Sequence, residues 1–297
     1  MTALRLATRG SKLALIQTEI VADSLRAANP ELEIEVITIL TAGDRDQSTP
    51  LPEGEGAGWF TSAIQQALQR GEADIAVHSY KDLPTKRPEG LVIAAVPLRE
   101  DPRDALVSRS GANLRNLPKG AVVGTSSPRR TAQLLELRPD LDVRAIRGNV
   151  DSRIAKVEAG DYEATVLALA GLRRLGLEGR ANHVFGFEEM LPSPAQGALA
   201  VECRAGDAAT RKALAAIDDP VLRQVVTAER TFLATIDGGC AFPAAAYAEH
   251  FGSTLKLNAL IAAEGRIFRS KMAGPAETAS GLGKQLADEL MALAGLR

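Results

Sequence analysis

Cysteine is scarce in this chain: there are two in 297 residues, Cys203 and Cys240. Two thiols build no disulfide framework, and such sparse usage reads as a chain kept reduced, in the cytoplasm. Aromatic residues make up only 4%, which leaves little for stacking on nucleobases. Charge of neither sign dominates. The 35 Lys and Arg face 37 Asp and Glu, a net charge of −2, and that excludes a general nucleic-acid binder. Histidine numbers three. His78, His183 and His250 lack ligand spacing and neither cysteine sits in a C-x-x-C pair, so no metal site is expected. No apolar run approaches the ~20 residues of a transmembrane helix. The opening "MTALRLATRGSKLAL" has no long apolar core or small-residue cleavage pattern, so no secretory leader is expected. No heptad or long apolar edge signals an oligomer, and a monomer is the expectation.

What is present is core. Hydrophobic residues reach 45%, and a chain of this length is expected to fold as two or three domains. The first part alternates strand and helix patterns. "LRLATR" is a strand, "SKLALIQTEIVADSLRAAN" a helix with Ser11 as N-cap, and "EIEVITIL" a strand. After a Gly-rich loop, "WFTSAIQQALQRG" is a helix closed by Gly71, then "ADIAVHSY" and "LVIAAVP" are strands. Beyond the charged segment "LREDPRDA" the alternation resumes: "AVVGTS", a helix "SPRRTAQLLELR" with Pro128 in its first turn, "DVRAIRG", a helix "DSRIAKVEAG" capped by Asp151, and "EATVLALAG". The units open alike, "ATRGSKLAL" and "GTSSPRRTAQLL", each a strand, a hydroxyl-rich turn with arginine, and a helix. Two α/β lobes facing a cleft are expected. The tail reads differently: a helix, three apolar stretches forming a small antiparallel sheet, and a closing helix, an α+β domain.

The arginines give the first chemical lead. Arg129, Arg130, Arg147, Arg153, Arg173 and Arg174 fall at strand ends or helix starts, and Arg9 stands at the matching turn of the first lobe. Helix N-termini attract anions, and guanidinium adds a fork that fits carboxylate or phosphate. Ser11, Thr125, Ser126 and Ser127 add hydroxyl donors. A polyanionic ligand is the reading; solvated or ion-paired arginines are the bland alternative. In "AVHSYKDLPT", strand alternation sends His78, Tyr80 and Asp82 one way, Ser79 and Lys81 the other. A carboxylate at that strand end can steady a developing cation or relay a proton, or simply bond a local turn. Cys240, in "TIDGGCAFPAAAYA", sits behind two glycines, where backbone bends and another molecule can approach. No histidine base or oxyanion signature accompanies it, so covalent tethering of a ligand fits better than protease-like catalysis. Cys203, in "ALAVECR", reads as a packing residue. "GEGAGWF" lacks the Gly-Lys-Ser/Thr ending of a phosphate loop and reads as a lid.

In order along the chain, "ATRGSKLAL", "HSYKDLP", "GTSSPRR", "RGNVDSR", "LALAGLRRLGL", "QGALAVECR" and "GGCAFP" resemble the hydroxymethylbilane synthase (porphobilinogen deaminase) family. The resemblance spans nearly the whole sequence. It implies two lobes like those of type-2 periplasmic binding proteins, residues 1–98 with 193–216 and residues 99–192, and an α+β cofactor-attachment domain over 217–297. It implies a dipyrromethane cofactor held by a thioether, with Cys240 matching the attachment residue. The implied reaction joins four porphobilinogen molecules head to tail with loss of ammonia, then hydrolyses off a linear tetrapyrrole. Each porphobilinogen carries an acetate and a propionate, which gives the arginine set its purpose. By motif position, Lys81, Thr125, Ser127, Arg129, Arg130 and Arg147 are implied to bind cofactor, and Arg9, Ser11, Arg153 and Arg174 substrate. Arg174 is preferred to Arg173 because it directly precedes the "LG" of its motif. Asp82 matches the catalytic aspartate, steadying the azafulvene cation left when ammonia departs.

The chain departs from the family pattern in places. The lysine common in the Gly-rich loop is missing, with Glu55 and Ala57 nearest, while Phe60 matches the loop aromatic. "SPAQGAL" stands for the commoner "PGQGAL". Two rivals share the inferred scaffold. A non-enzymatic polyanion-binding protein leaves Cys240 without a purpose, and a phosphoribosyl-type transferase needs a phosphate-cradling loop that is not found.

Overall fold

The computed structural model describes residues 3–39, 58–236 and 242–296, with backbone alone for 58–60. The Gly-rich loop, the side chain of Phe60 and Cys240 lie outside the described residues. Two compact units emerge, residues 1–100 with 198–223 and residues 101–197 with 224–297.

The first unit begins with β1 (Leu4–Thr8), α1 (Lys12–Ala28) and β2 (Ile34–Thr38). Ser11 caps α1, its side chain accepting from the Ala14 amide at 3.3 Å, as its position before an apolar-periodic run predicts. α2 (Gly58–Gln69) ends at Gly71, whose φ of +71° is the left-handed stop that glycine adopts without cost. β3 (Ile75–Ser79) and β4 (Leu91–Ala95) follow, and β10 (Leu199–Arg204) returns much later to lie between them. The sheet order is β2-β1-β3-β10-β4, with β1 parallel to both neighbours and β10 antiparallel to both of its own. Leu6, Val21, Leu25, Ile75, Val77 and Val201 close one face as a core under α1.

The second unit carries β5 (Asp104–Ser108), β6 (Val122–Gly124), α3 (Pro128–Leu137), β7 (Asp142–Arg144), α4 (Val150–Glu158), β8 (Ala164–Ala168), α5 (Leu169–Arg174) and β9 (His183–Val184). Their order is β7-β6-β8-β5-β9, the fourth strand again antiparallel to both neighbours. The two sheets therefore repeat one topology that no sequence repeat announces. In each, the second strand in the order feeds a hydroxyl-rich turn and a helix, as the likeness of "ATRGSKLAL" to "GTSSPRRTAQLL" predicts.

The same unit contains α7 from Gln224 onward (α7 spans Pro220–Ile236, after α6, Ala208–Ala215, of the first unit) and the antiparallel sheet β11 (Ala244–Phe251), β12 (Thr254–Ala263), β13 (Arg266–Pro275). α8 (Ala279–Leu293) closes it. Phe232, Leu255, Leu257, Leu286 and Leu290 form its core. A Cβ on Gly283 would stand 2.2 Å from the Ala228 carbonyl oxygen, so glycine is what lets α8 approach α7.

Three expectations change. β3 stops at Ser79 and residues Tyr80–Asp82 form a 3-10 turn, so alternation does not carry through Tyr80 and Asp82. The cap of α4 is Asn149, with Asp151 inside the first turn, where its charge suits the helix dipole instead. No strand is expected between "LREDPRDA" and "AVVGTS", but β5 lies there and opens on Asp104, which is fully buried.

Candidate functional site

In the first unit, β1 delivers Arg9, half-buried, to the N-terminus of α1 beside Ser11. β3 delivers Lys81 and Asp82. The Tyr80 amide donates to the Ala198 carbonyl at 3.0 Å and the Leu83 amide closes the turn on the Tyr80 carbonyl at 3.3 Å. Lys81 is half-buried and Asp82 exposed. The chain thus ends a buried strand and immediately presents a carboxylate on a three-residue turn.

In the second unit the same strand–turn–helix builds a denser site. The Thr125 amide donates to the Arg144 carbonyl at 2.8 Å, and buried Thr125 accepts from the Ser127 amide at 3.2 Å. Ser127 caps α3 and Pro128 occupies its first position. Ser126 bridges to the neighbouring loop, donating to the Ile146 carbonyl at 2.8 Å and accepting from its amide at 3.1 Å. Arg129 and Arg130 then project inward, 4% and 6% exposed, onto one carboxylate. Arg129 Nη1 donates to Asp104 Oδ2 and to the Leu191 carbonyl, both at 2.7 Å. Arg130 reaches Asp104 Oδ1 through Nη2 at 2.6 Å and Nε at 3.1 Å, and donates Nη1 to the Val166 carbonyl at 2.8 Å. Gln196 Nε2 adds a bond to Asp104 Oδ1 at 2.9 Å. Burial alone would raise the Asp104 carboxyl, but Arg129 and Arg130 outweigh it and hold the group well below the usual carboxylate range. Two guanidiniums on one carboxylate leave a positive excess, the electrostatics an acid-bearing ligand requires.

Arg147 and Arg153 flank a turn at Gly148, whose φ is +109°. Arg153 Nε donates to the Gly148 carbonyl at 2.8 Å and Lys156 Nζ to the Arg147 carbonyl at 3.1 Å. A Cβ at Gly148 would stand 2.8 Å from Ser152 Cβ. Gly148→Ala is expected to destabilise the protein by about 1–2 kcal/mol, read by thermal melting; an unchanged Tm would contradict the strain. Arg173 pairs with Asp101 at 3.6 Å and Glu178 at 3.4 Å, whereas Arg174 donates Nη2 to the Gly197 carbonyl at 2.6 Å.

Asp104 and Gln196 escaped the sequence reading. A charge beside other charges reads as solvated; the signal available was the apolar run "ALVS" directly behind Asp104. The "SPAQGAL" segment also carries more than it seems to. Ala195 has φ +60°, and its amide donates to buried Glu229 Oε2 at 2.6 Å while the Ala248 amide donates to Oε1 at 2.8 Å. Cys203 is fully buried, and burial pushes its thiol up to about 11, which suits packing and not reactivity. Among the described residues, no group of three His, Cys, Asp or Glu could hold a metal ion, and no helix is long and apolar enough to cross a membrane.

The two α/β sheets of like topology, each with a hydroxyl-rich turn and an arginine at a helix start, and the α+β element that follows describe a protein suited to an acidic small molecule. The chain belongs to the porphobilinogen deaminase family: residues 4–212 match its dipyromethane cofactor binding domain and residues 223–292 its C-terminal domain. Similar relatives are the porphobilinogen deaminases of Acidothermus cellulolyticus, 48% identical over 98% of this chain and 89% of that one, and of Roseiflexus castenholzii, 46% identical over 99% and 97%. Among solved structures, the periplasmic VFT2 domain of Bordetella pertussis BvgS is similar at a TM-score of 0.45 and 15% identity, covering 72% of this chain and 86% of that one. An ancestral arginine-binding protein bound to arginine gives 0.41 and 15%, covering 73% and 91%. The protein is a transferase of tetrapyrrole biosynthesis that uses a dipyrromethane cofactor and makes hydroxymethylbilane. Its residues fit that group in kind, with a buried positive excess at Arg129 and Arg130 and the capped N-terminus of α3 beside them.

Proposed function

We propose that Asp82 is the catalytic carboxylate of this reaction and that Cys240 carries the dipyrromethane through a thioether. When bound, the cofactor would supply the free pyrrole carbon that accepts the first porphobilinogen, each later unit joining the end of the growing chain. The chain's own groups do the rest. Arg129, Arg130 and Arg147, with Lys81, Thr125 and Ser127, hold the cofactor's carboxylates. Arg129 Nη1 is engaged by Asp104 and the Leu191 carbonyl, which fixes the guanidinium in place. Arg9, Ser11, Arg153, Arg174 and Phe60 bind the incoming substrate. Asp82 opposes the positive charge that departing ammonia leaves on substrate, and accepts the proton lost after coupling.

The observation that carries this reading is the Tyr80–Asp82 turn, which sets an exposed carboxylate at the end of a buried strand beside a half-buried lysine. We place the reaction in the cytoplasm with a single chain as its working unit, and divide the chain at 98/99, 192/193 and 216/217. The return of β10 to the sheet of β3 and β4 supports the discontinuous first domain. Asp82→Asn is expected to keep the cofactor, seen by intact mass, and to lower turnover by about 10²-fold or more. Normal turnover would remove Asp82 from this role.

A further inference from the structure

The first unit buries a carboxylate that the reaction does not use. Glu202 lies on β10 with no exposed surface. Its Oε2 faces His78 Nε2 at 3.1 Å, and Gln65 Nε2 donates to Oε1 and Oε2 at 3.1 and 3.2 Å. Facing a carboxylate, Nε2 is the ring nitrogen that carries the hydrogen. The register explains the meeting. His78 stands opposite Ala200 and Ala76 opposite Glu202, so His78 and Glu202 are diagonal neighbours on one face of the sheet. That face is covered by α2, whose Ile64 and Leu68 pack with Ala7 and Ala76; Gln65 comes from the same helix.

Holding a sheet together does not need such a group. Apolar residues of similar volume serve at least as well as a buried polar cluster, which is costly to desolvate. What the cluster supplies is direction: hydrogen bonds fix where His78 sits along and across the strand, as packing alone does not. His78 is four residues before Asp82. The next residue, Ser79, is fixed from the opposite face, where Gln17 Nε2 of α1 donates to Ser79 Oγ at 2.9 Å and Ser79 Oγ donates back to Gln17 Oε1 at 3.1 Å. The last two residues of β3 are thus gripped on both faces before the chain turns.

We propose that Glu202 is a positioning residue: through His78, and steadied by Gln65, it fixes the strand end from which the Tyr80–Asp82 turn projects the Asp82 carboxylate. The inference rests on the reading of Asp82 above. Small misplacements of a reacting group lower rates steeply, so the effect belongs in kcat, while the arginines that bind carboxylates are untouched and KM stays put.

The test uses cofactor-loaded enzyme, checked by intact mass. A triple variant, Gln65→Leu with His78→Leu and Glu202→Leu, removes all three members together, so none of them is left buried without its partner, and is expected to keep its Tm within a few degrees. Its kcat should fall about 10- to 100-fold with KM within about twofold. Glu202→Gln keeps an acceptor for His78 and a partner for Gln65, and should recover most of kcat. A triple variant with wild-type kcat, or one that loses activity through KM alone, overturns the proposal. Should the triple variant not fold, Gln65→Leu alone is read the same way: lower kcat at constant KM supports the proposal, and unchanged kcat overturns it. Asp82→Asn run alongside separates the two ideas. Fast turnover there defeats the reading of Asp82, while slow turnover there with a normal triple variant defeats only the role of Glu202.

Discussion

Asp104→Asn should cost the protein about 3–5 kcal/mol, because it leaves Arg129 and Arg130 buried without their counter-charge. For a unit of this size that is a fall in Tm of about 10 °C or more. The pH dependence makes the expectation specific. The Asp104 carboxyl is depressed in the folded protein, so its contribution is complete above its unfolded value near about 4 and is lost as pH drops below that towards the folded value. The gap in Tm between wild type and Asp104→Asn should therefore be constant from neutrality to about pH 5 and narrow in more acid solution. A gap independent of pH down to about 3, or no gap at all, would show that the two guanidiniums do not depend on Asp104. Asp104→Glu is a stringent companion, since it keeps the charge while its extra methylene overfills a closed site. The same cluster bears on function. Asp104 aims both arginines, so loss of its charge should also impair assembly of the cofactor onto the chain, read as a smaller fraction of chains carrying the added mass.

Local rules made much of this molecule legible. Ser11 and Ser127 cap the helices that follow them, Pro128 takes the first position of α3, Gly71 stops α2, and the three apolar stretches after Phe242 pair as one antiparallel sheet. Each is decided within a few residues, which is the range over which propensity and pattern act. What escaped depends on partners far away in sequence. Asp104 is buried because Arg129 and Arg130 arrive 25 and 26 residues later. Glu202 meets His78 across a separation of 124 residues and Gln65 across 137, and only the return of β10 brings them together. The turn at Tyr80–Asp82 has a different reason: alternation cannot show that the Leu83 amide bonds back to the Tyr80 carbonyl at 3.3 Å and closes a 3-10 turn ahead of Pro84. For the candidate site, the motifs located residues that the fold then distributes over two units, whereas the residues that orient them, Asp104, Gln196 and Glu202, came from the structure. Charges beside apolar runs, as in "DALVS" and "LAVECR", were the local trace of Asp104 and Glu202.

Cys240→Ser should yield a folded protein that lacks the mass of two pyrrole units and forms no hydroxymethylbilane. Thioether formation needs a thiolate that can be reached; a serine hydroxyl is un-ionised at neutral pH and far weaker as a nucleophile. The second cysteine offers no substitute. Cys203 has no exposed surface, its thiol is pushed up to about 11, and it donates to the Arg204 carbonyl at 3.5 Å from within β10. Cys203→Ala should therefore keep both the added mass and the turnover, losing only the packing of one sulfur, about 1 kcal/mol. This contrast isolates the tether from any general effect of removing a thiol. Since the cofactor's acidic groups would balance the positive excess at Arg129 and Arg130, the cofactor-free Cys240→Ser protein should also bind inorganic polyanions more readily than wild type does, in a salt-dependent manner. Wild-type protein that is fully active without the added mass, or Cys240→Ser protein that still carries it, would overturn the attachment at Cys240.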